Sequence, residues 1–327
     1  MAPAPLLDDW SLPGAETPCR PSNIYLLEVF PPEAVTYCQS KFQTVILPTD
    51  PEIVNWRQNA ESILVRETII SAEDIHSARK LRVIGKQGTG IDIIDQDACA
   101  KRGIPILNTP GINAQSVAEL VMTLTMAVKR EIRSISVKQA SGQEVRKEHC
   151  LGSMMTGKPI GVVGMGATGS AVARMFGGAF RCPVFAYDPF APKDAWADIP
   201  HTRVDDIEQM LPEVEMLTLH IPLTPQTRGL ITMSHLRKMR PSAVLINVAR
   251  GGIVDEDDLV RALEEGIIGG AGLDCHEEEP PTLARYERLW ATGKVVSTPH
   301  IGATTVETQV KTATAAMDNV YNYLVGV

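Results

Sequence analysis

A chain of 327 residues has room for two domains with cores of their own, and 44% hydrophobic against 21% charged residues is the balance of a folded globular protein. The formal charge of −8 argues against nucleic-acid binding as the main business, and no run approaches the about 18 apolar residues of a membrane span. Six cysteines and seven histidines are scattered without a Cys-x-x-Cys pair or ligand spacing, so reduced thiols in a cytoplasmic protein are expected, and no metal site.

Residues 1–22 are rich in proline, carry acidic groups and lack a targeting pattern, so they read as a surface-draped extension. Apolar runs at 23–29, 44–47, 62–65, 82–85 and 104–107 then alternate with helix-compatible segments, the rhythm of a parallel sheet. Asn108-Thr109-Pro110-Gly111 breaks that rhythm. A long helix is expected from about Ala114, with capping-box spacing between Ser116 and Glu119 and an apolar face of Val117, Leu120, Val121, Leu124 and Val128.

A second series follows at 160–163, 184–187, 216–220, 243–248, 270–274 and 294–297, with helical stretches between, including 255–264. This is the pattern of a doubly wound nucleotide-binding domain. Its first strand runs into Gly164-Met165-Gly166-Ala167-Thr168-Gly169, the glycine turn of a dinucleotide site. The first glycine permits the turn, the second lets backbone approach a pyrophosphate, and the third lets helix pack on strand. Asp188 ends the next strand, about 20 residues on, where a carboxylate takes the ribose hydroxyls of an adenosine. A final helix at 304–324 has no strand partner left and is expected to cross back to the first domain.

Ligands of open α/β sheets bind beyond the carboxyl ends of the strands, so polar residues there are the candidates for chemistry. Arg250, Glu279 and His300 each follow one of the late strands. Hydride transfer at a carbonyl requires a proton donor at the oxygen and a cation to orient an anionic substrate, tasks that suit histidine paired with a carboxylate, and arginine. Each residue also has a plainer structural reading: a hydrogen-bonded histidine, a solvated acidic loop at Glu277 to Glu279, a turn-capping arginine, a packing glycine turn, and for Arg66 a surface arginine at a strand end.

Together the motifs resemble the D-isomer-specific 2-hydroxyacid dehydrogenases. They are Gly88-Thr89-Gly90-Ile91-Asp92, residues 113–119, the glycine turn with Tyr187-Asp188-Pro189, His220-Ile221-Pro222-Leu223-Thr224, and residues 247–255, 274–280 and 298–305, in the family's order from about Asn23 onward. The resemblance implies an α/β fold of two doubly wound parallel-sheet domains, an NAD-binding Rossmann domain at 113–303 inserted into a flavodoxin-like substrate domain of 23–112 plus 304–327. It makes Arg250 the substrate-carboxylate ligand, His300 the acid/base and Glu279 its support. Cofactor contacts are implied for Thr89, Gly164, Gly166, Ala167, Thr168, Gly169, Asp188, Ile221, Val248, Ala249, Arg250, Asp274, His300 and Ala303. Substrate contacts are implied for Arg66, Lys86, Gly88, Thr89, Gly90, Arg250 and His300.

The expected activity is therefore NAD-dependent oxidation of a small 2-hydroxy acid or reduction of the 2-oxo acid, of 3-phosphoglycerate or hydroxypyruvate type. Asp188 points to NAD over NADP, since its charge repels a 2'-phosphate and no basic residue follows at Pro189 or Phe190. The glycine turn departs from many relatives in having Ala167 and Thr168 where they carry a basic residue, so pyrophosphate binding leans on backbone amides. Lys86 stands where phosphoglycerate-oxidising members commonly have arginine, which weakens the case for a phosphorylated substrate. With the sequence ending at Val327, the regulatory domains of longer phosphoglycerate dehydrogenases are not expected. A homodimer is implied through the long helix and residues 134–157. The alternative is an NAD(H)-sensing interaction protein of the corepressor type on the same fold.

Overall fold

The computed structural model describes residues 20–327, and the rest of the expected extension lies outside the described residues. The chain divides into two compact units, the smaller from the segment ending at Gln87 with Ile91–Asn108 and Ala313–Val327, the larger from Gly88–Gly90 and Thr109–Thr312. Relative to the expected junctions, Gly88–Gly90 falls in the larger unit. The Gly88 N–H donates to Thr109 Oγ1 at 2.9 Å and the Thr109 N–H returns to the Gly88 carbonyl at 3.0 Å.

The smaller unit is built on five parallel strands: β1 (Asn23–Leu26), β2 (Thr44–Ile46), β3 (Ser62–Val65), β4 (Val83–Lys86) and β5 (Ile106–Leu107). Their order, β2-β1-β3-β4-β5, is that of a flavodoxin-like sheet. Every residue of β3 is buried, as a parallel strand covered on both faces requires. Ile63 and Ile84 face one core with Ile75 and Ile94, while Ile24, Leu64 and Val83 face another that includes Ala313, Ala316, Met317 and Val320 of the helix Val306–Val325. Glycine at position 85 lets this helix lie close, since a Cβ there would stand 2.6 Å from Val320 Cγ2 and 2.8 Å from Leu64 Cδ1 and would force one of them to shift.

Seven parallel strands form the larger unit: β6 (Ile160–Val163), β7 (Val184–Tyr187), β8 (Thr202–Arg203), β9 (Met216–Leu219), β10 (Val244–Asn247), β11 (Gly270–Leu273) and β12 (Val295–Ser297). The order β12-β11-β10-β9-β6-β7-β8 reverses between β6 and β9, the doubly wound arrangement expected from the sequence. The edge strand β8 escaped the sequence reading because it is only two residues long and polar, Thr202–Arg203.

The helix Ala114–Lys129 buries Val117, Val121 and Leu124 in the larger unit, each such side chain contributing roughly 1.5–3 kcal/mol. It lies close on β11, where a Cβ at Gly270 would stand 2.5 Å from Val128 Cγ1 and one at Gly272 would stand 2.9 Å from Leu124 Cβ. The expected capping box does not form. Ser116 is already inside the helix, and its hydroxyl donates to the Asn113 carbonyl at 3.0 Å.

Candidate active site

The strand-turn-helix around Gly164 sits where the strand order reverses. Gly164 has φ +99° and its absent Cβ would lie 2.4 Å from the His220 carbonyl oxygen, so β6 and β9 meet there backbone to backbone. A Cβ at Gly169 would lie 2.1 Å from the Gly164 carbonyl oxygen, which closes helix onto turn. Gly166 is different: nothing lies within 4 Å of its Cβ position, and it caps the helix Ala167–Phe180 with no side-chain hydrogen bond. The turn thus presents the amides of a helix N-terminus beside space that a side chain would fill, which fits the pyrophosphate of a dinucleotide. Ala167 and Thr168 are the first helical residues.

Asp188, following β7, accepts from the Met165 N–H at 2.9 Å through Oδ2 and from the Phe190 and Ala191 N–H groups at 2.9 and 3.1 Å through Oδ1. One carboxylate therefore fixes both the glycine turn and its own loop. A basic residue that local sequence did not reveal is also close by. Arg203 donates to the Asp188, Ala191 and Pro192 carbonyls at 2.9, 2.8 and 2.7 Å, so its guanidinium is committed to holding the loop.

Three successive loops, after β10, β11 and β12, carry the candidate catalytic residues. Beyond β10, Asn247 straddles the turn, donating to the Arg250 carbonyl at 2.8 Å and accepting from the Ala249 N–H at 3.1 Å. The Arg250 side chain donates to the Ala249 carbonyl at 2.8 Å. The neighbouring Gly251 is obligatory, as its Cβ would lie 2.0 Å from the His276 carbonyl oxygen. Val248 and Ala249 are buried, and Ile221 beyond β9 packs against the same core as Ala249.

His300 adopts the left-handed region at φ +57°, uncommon for a residue with a Cβ. Asp274 holds it there. The Asp274 carbonyl accepts the His300 N–H at 2.8 Å, and its carboxylate accepts Thr298 Oγ1 at 2.6 Å and the Ile301 and Gly302 N–H groups, each at 2.8 Å. Asp274 is 1% exposed and commits both carboxylate oxygens to this turn, a supporting role that its resemblance to a nicotinamide-facing position did not announce. Ala303 follows in the same loop, its carbonyl accepting from Gln309 Nε2 at 3.0 Å.

His300 Nδ1 lies 2.9 Å from Glu279 Oε2, and Glu279 Oε1 accepts the His276 N–H at 3.0 Å. Contact with the Cys275 thiol and the bond to Glu279 raise the His300 pKa from 6.5 to about 10, against the pull of burial. Burial pushes the Cys275 thiol itself up, so at neutral pH the charge opposite the ring is that of Glu279. Burial also draws Glu279 upward, but its bond to His300 and the His300 charge prevail and hold it below the usual carboxylate range. The histidines nearby behave in the opposite way. Burial pushes His220 down to about 3 and lowers His276, so His300 alone among these three is held protonated.

Residues outside the sequence expectations support the loop bearing Glu279. Glu256 accepts the Glu277 N–H at 2.9 Å, the Tyr286 hydroxyl accepts the Glu278 N–H at 2.9 Å, and Ser297 Oγ lies 2.8 Å from His276 Nε2. No local motif marks them, because each comes from a different element. Cys275 was likewise read only as a scattered thiol.

Of the other expected residues, Thr89 lies in the larger unit with its hydroxyl 3.4 Å from Asn113 Oδ1. Arg66 and Lys86 are in the smaller unit, at the carboxyl ends of adjacent strands β3 and β4. Arg66 Nε lies 3.6 Å from Glu28 Oε2 and 3.3 Å from Glu67 Oε1. Glu28 Oε1 in turn accepts the backbone N–H groups of Arg66 at 3.1 Å, Glu67 at 2.7 Å, and Thr68. Burial draws Glu28 upward, but the Thr68 hydroxyl and these amides keep it ionised, so the Arg66 charge is already compensated.

Residues 122–302 match the family model for the D-isomer specific 2-hydroxyacid dehydrogenase, NAD binding domain, more than half of the chain. The chain belongs to this family. It is 37% identical over 279 residues to a D-3-phosphoglycerate dehydrogenase of Methanocaldococcus jannaschii, covering 85% of this chain and 52% of that protein. It is 35% identical over 274 residues to a hydroxypyruvate reductase of Thermotoga maritima, covering 84% of this chain and 88% of that one. A crystal structure of a protein from Thermus thermophilus superimposes with a TM-score of 0.81 at 30% identity, covering 93% and 97% of the two chains. The chain thus spans about half the length of the phosphoglycerate dehydrogenase and most of the length of the reductase.

Proposed function

We propose that this family member is an NAD-dependent D-2-hydroxyacid dehydrogenase, acting as a 2-oxoacid reductase or in reverse. The observation that carries this reading is the His300–Glu279 pair, 2.9 Å apart, on the loops next to that of Arg250 at one edge of a doubly wound sheet. In this reading the larger unit is the NAD-binding domain and the smaller the substrate domain.

NAD supplies or accepts the hydride when bound. The amides from Gly166 to Gly169 take its pyrophosphate, Gly164 keeps the turn tight, and Asp188 takes the ribose hydroxyls. Thr89, Ile221, Val248, Ala249, Asp274 and Ala303 line it. Arg250 grips the substrate carboxylate with its planar fork and polarises the carbonyl. His300 moves the proton at Nε2, because Nδ1 is engaged with Glu279, whose negative charge favours the protonated ring. The amides of Gly88, Thr89 and Gly90 add to the carboxylate's hydrogen bonds.

Arg66 and Lys86 are assigned to the substrate's side chain. The compensation of Arg66 by Glu28 supports an uncharged substituent, as in hydroxypyruvate, over a phosphorylated one. The two named relatives, a dehydrogenase and a reductase, do not favour the NADH-sensing alternative.

A screen of NADH oxidation with hydroxypyruvate, glyoxylate, phosphohydroxypyruvate and branched or aromatic 2-oxo acids tests the reading. Turnover with at least one of them, reduced by about 10²- to 10⁴-fold in His300→Ala, is expected. Turnover that survives the substitution contradicts it.

A homodimer is part of this proposal. Helix Ala114–Lys129 buries its apolar face in its own unit, but the segment after it exposes Ile132 (51%), Val137 (58%), Leu151 (84%) and Met154 (70%), an apolar surface that a second copy would cover. Sedimentation at the monomer mass of 35.5 kDa contradicts it. A cytoplasmic location is also proposed. The described cysteines Cys38, Cys99, Cys150, Cys182 and Cys275 are free thiols, the form a reducing compartment maintains, and no helix among the described residues is long and apolar enough to cross a membrane.

A further inference from the structure

The loops after β11 and β12 bring a thiol, a carboxylate and an imidazole to one point. Cys275 Sγ, a Glu279 carboxylate oxygen and a His300 ring nitrogen all lie within 4.8 Å of one another. Bonds of about 2.0–2.3 Å from a tetrahedral zinc ion to such ligands set the ligand atoms about 3.5 Å apart. The 2.9 Å His300–Glu279 pair need open only slightly to meet that spacing, and the sulfur already lies within 4.8 Å of both.

The scaffold behind these ligands is stiff. Asp274 ties the His300 turn through its carbonyl and its carboxylate, and Glu256 and Tyr286 fix the backbone of the Glu279 loop. Cys275 is buried, whereas Glu279 and His300 have side chains 35% and 43% exposed, so an ion has an approach from their side. Three protein ligands with an accessible fourth position is the pattern of an open zinc site.

The geometry points to a binding site for a borderline-soft divalent cation of the zinc class at Cys275, Glu279 and His300, through which such ions inhibit the enzyme. Sulfur and imidazole together select zinc or cobalt over magnesium and calcium, which prefer oxygen. Binding releases the thiol proton and the proton of the ring nitrogen that takes the ion, and it neutralises the Glu279 carboxylate, so His300 no longer serves as a proton carrier. Glu279 follows Cys275 on the same loop, but the sequence does not mark Cys275 as a metal ligand because the third partner, His300, lies on the loop after β12 and meets them only through the pairing of β11 with β12.

The cation site shares Glu279 and His300 with the proposed reaction, and its inhibitory role rests on that reading, but binding itself is tested without turnover. Cobalt chloride is titrated into the metal-free full-length protein under anaerobic, thiol-free conditions while the absorption spectrum is recorded. A thiolate-to-cobalt charge-transfer band is expected, displaced by an equivalent of zinc and lost in Cys275→Ser and Cys275→Ala, with zinc affinity reduced by about a hundredfold. Thermal melts of both variants without metal establish that they are folded. Absence of the band in the wild type, or its persistence in both folded variants, overturns the site. Where a 2-oxo acid is turned over, micromolar zinc is expected to inhibit reversibly by chelator, and inhibition unchanged in both variants overturns the inhibitory role. Cobalt binding without turnover of any 2-oxo acid supports the site and counts against the dehydrogenase reading alone.

Discussion

His300 Nδ1 and Glu279 Oε2, 2.9 Å apart, join the loop after β12 to the loop after β11 and set the sign of the pH dependence. The His300 pKa is raised to about 10, so its contribution to stability is whole below 6.5 and is lost as pH climbs through about 10. Glu279 is lowered from 4.5, so its contribution is present above 4.5 and is lost as pH falls through its lower folded value. Reduction needs the protonated ring. Its kcat/KM is expected to hold through neutral pH and decline on the alkaline side, and Glu279→Gln to move that decline toward neutral. The Cys275 contact, the larger cause of the shift, stays in this variant, so an unchanged alkaline limb in Glu279→Gln rejects the Glu279 contribution.

The glycines of the turn separate binding from folding. Gly166→Val places its side chain in open space at a φ of −75°, so thermal stability is expected to change by less than about 0.5 kcal/mol while NADH affinity falls at least about tenfold. Gly169→Ala drives a Cβ to 2.1 Å from the Gly164 carbonyl oxygen and is expected to cost about 1–3 kcal/mol or more. Calorimetry and NADH titration of both proteins check this. Equal effects of the two substitutions on folding and binding contradict it.

Asp188 is expected to enforce NADH over NADPH and to brace the turn at once. Asp188→Ala strands the N–H groups of Met165, Phe190 and Ala191, so a loss of about 1–3 kcal/mol in stability should accompany a collapse of cofactor discrimination. Steady-state kinetics with both cofactors decide the point, and comparable wild-type turnover with NADPH refutes the preference.

Glu28 is expected to disfavour phosphorylated substrates by compensating Arg66. Wild-type kcat/KM should be higher for hydroxypyruvate than for phosphohydroxypyruvate, and Glu28→Gln should narrow the ratio by about tenfold, a carboxylate–guanidinium contact being removed. A wild-type preference for phosphohydroxypyruvate defeats the prediction.

Most of the framework was legible because parallel strands buried on both faces read as uninterrupted apolar runs. Ile160–Val163 and Val184–Tyr187 coincide with their expected bounds, and Ser62–Val65 does as well. Short polar β8 carried no such signal, and the spacing of Ser116 and Glu119 misled because the helix had already begun at Ala114. At the candidate site, strand-end position and residue chemistry were enough to single out Arg250, Glu279 and His300. What stayed hidden was contact between loops distant in sequence: Cys275 beside His300, Arg203 across the Asp188 loop, and Glu28 beneath Arg66. Such contacts depend on strand order, which no local pattern encodes.

The close approach of Val320 to Gly85 bears on synthesis at the ribosome. One face of the first sheet, covered in part by Phe30, Ala34, Cys38 and Phe42, completes its cover when residues 313–320 emerge, after the whole of the larger unit has been made. The larger unit, contiguous from Thr109 to Thr312 apart from the glycine loop Gly88–Gly90, has its strands and helices in hand before then. The smaller unit thus matures after the larger one, and until the final helix arrives the part of its core left open around Ile24, Leu64 and Val83 is natural ground for chaperone capture.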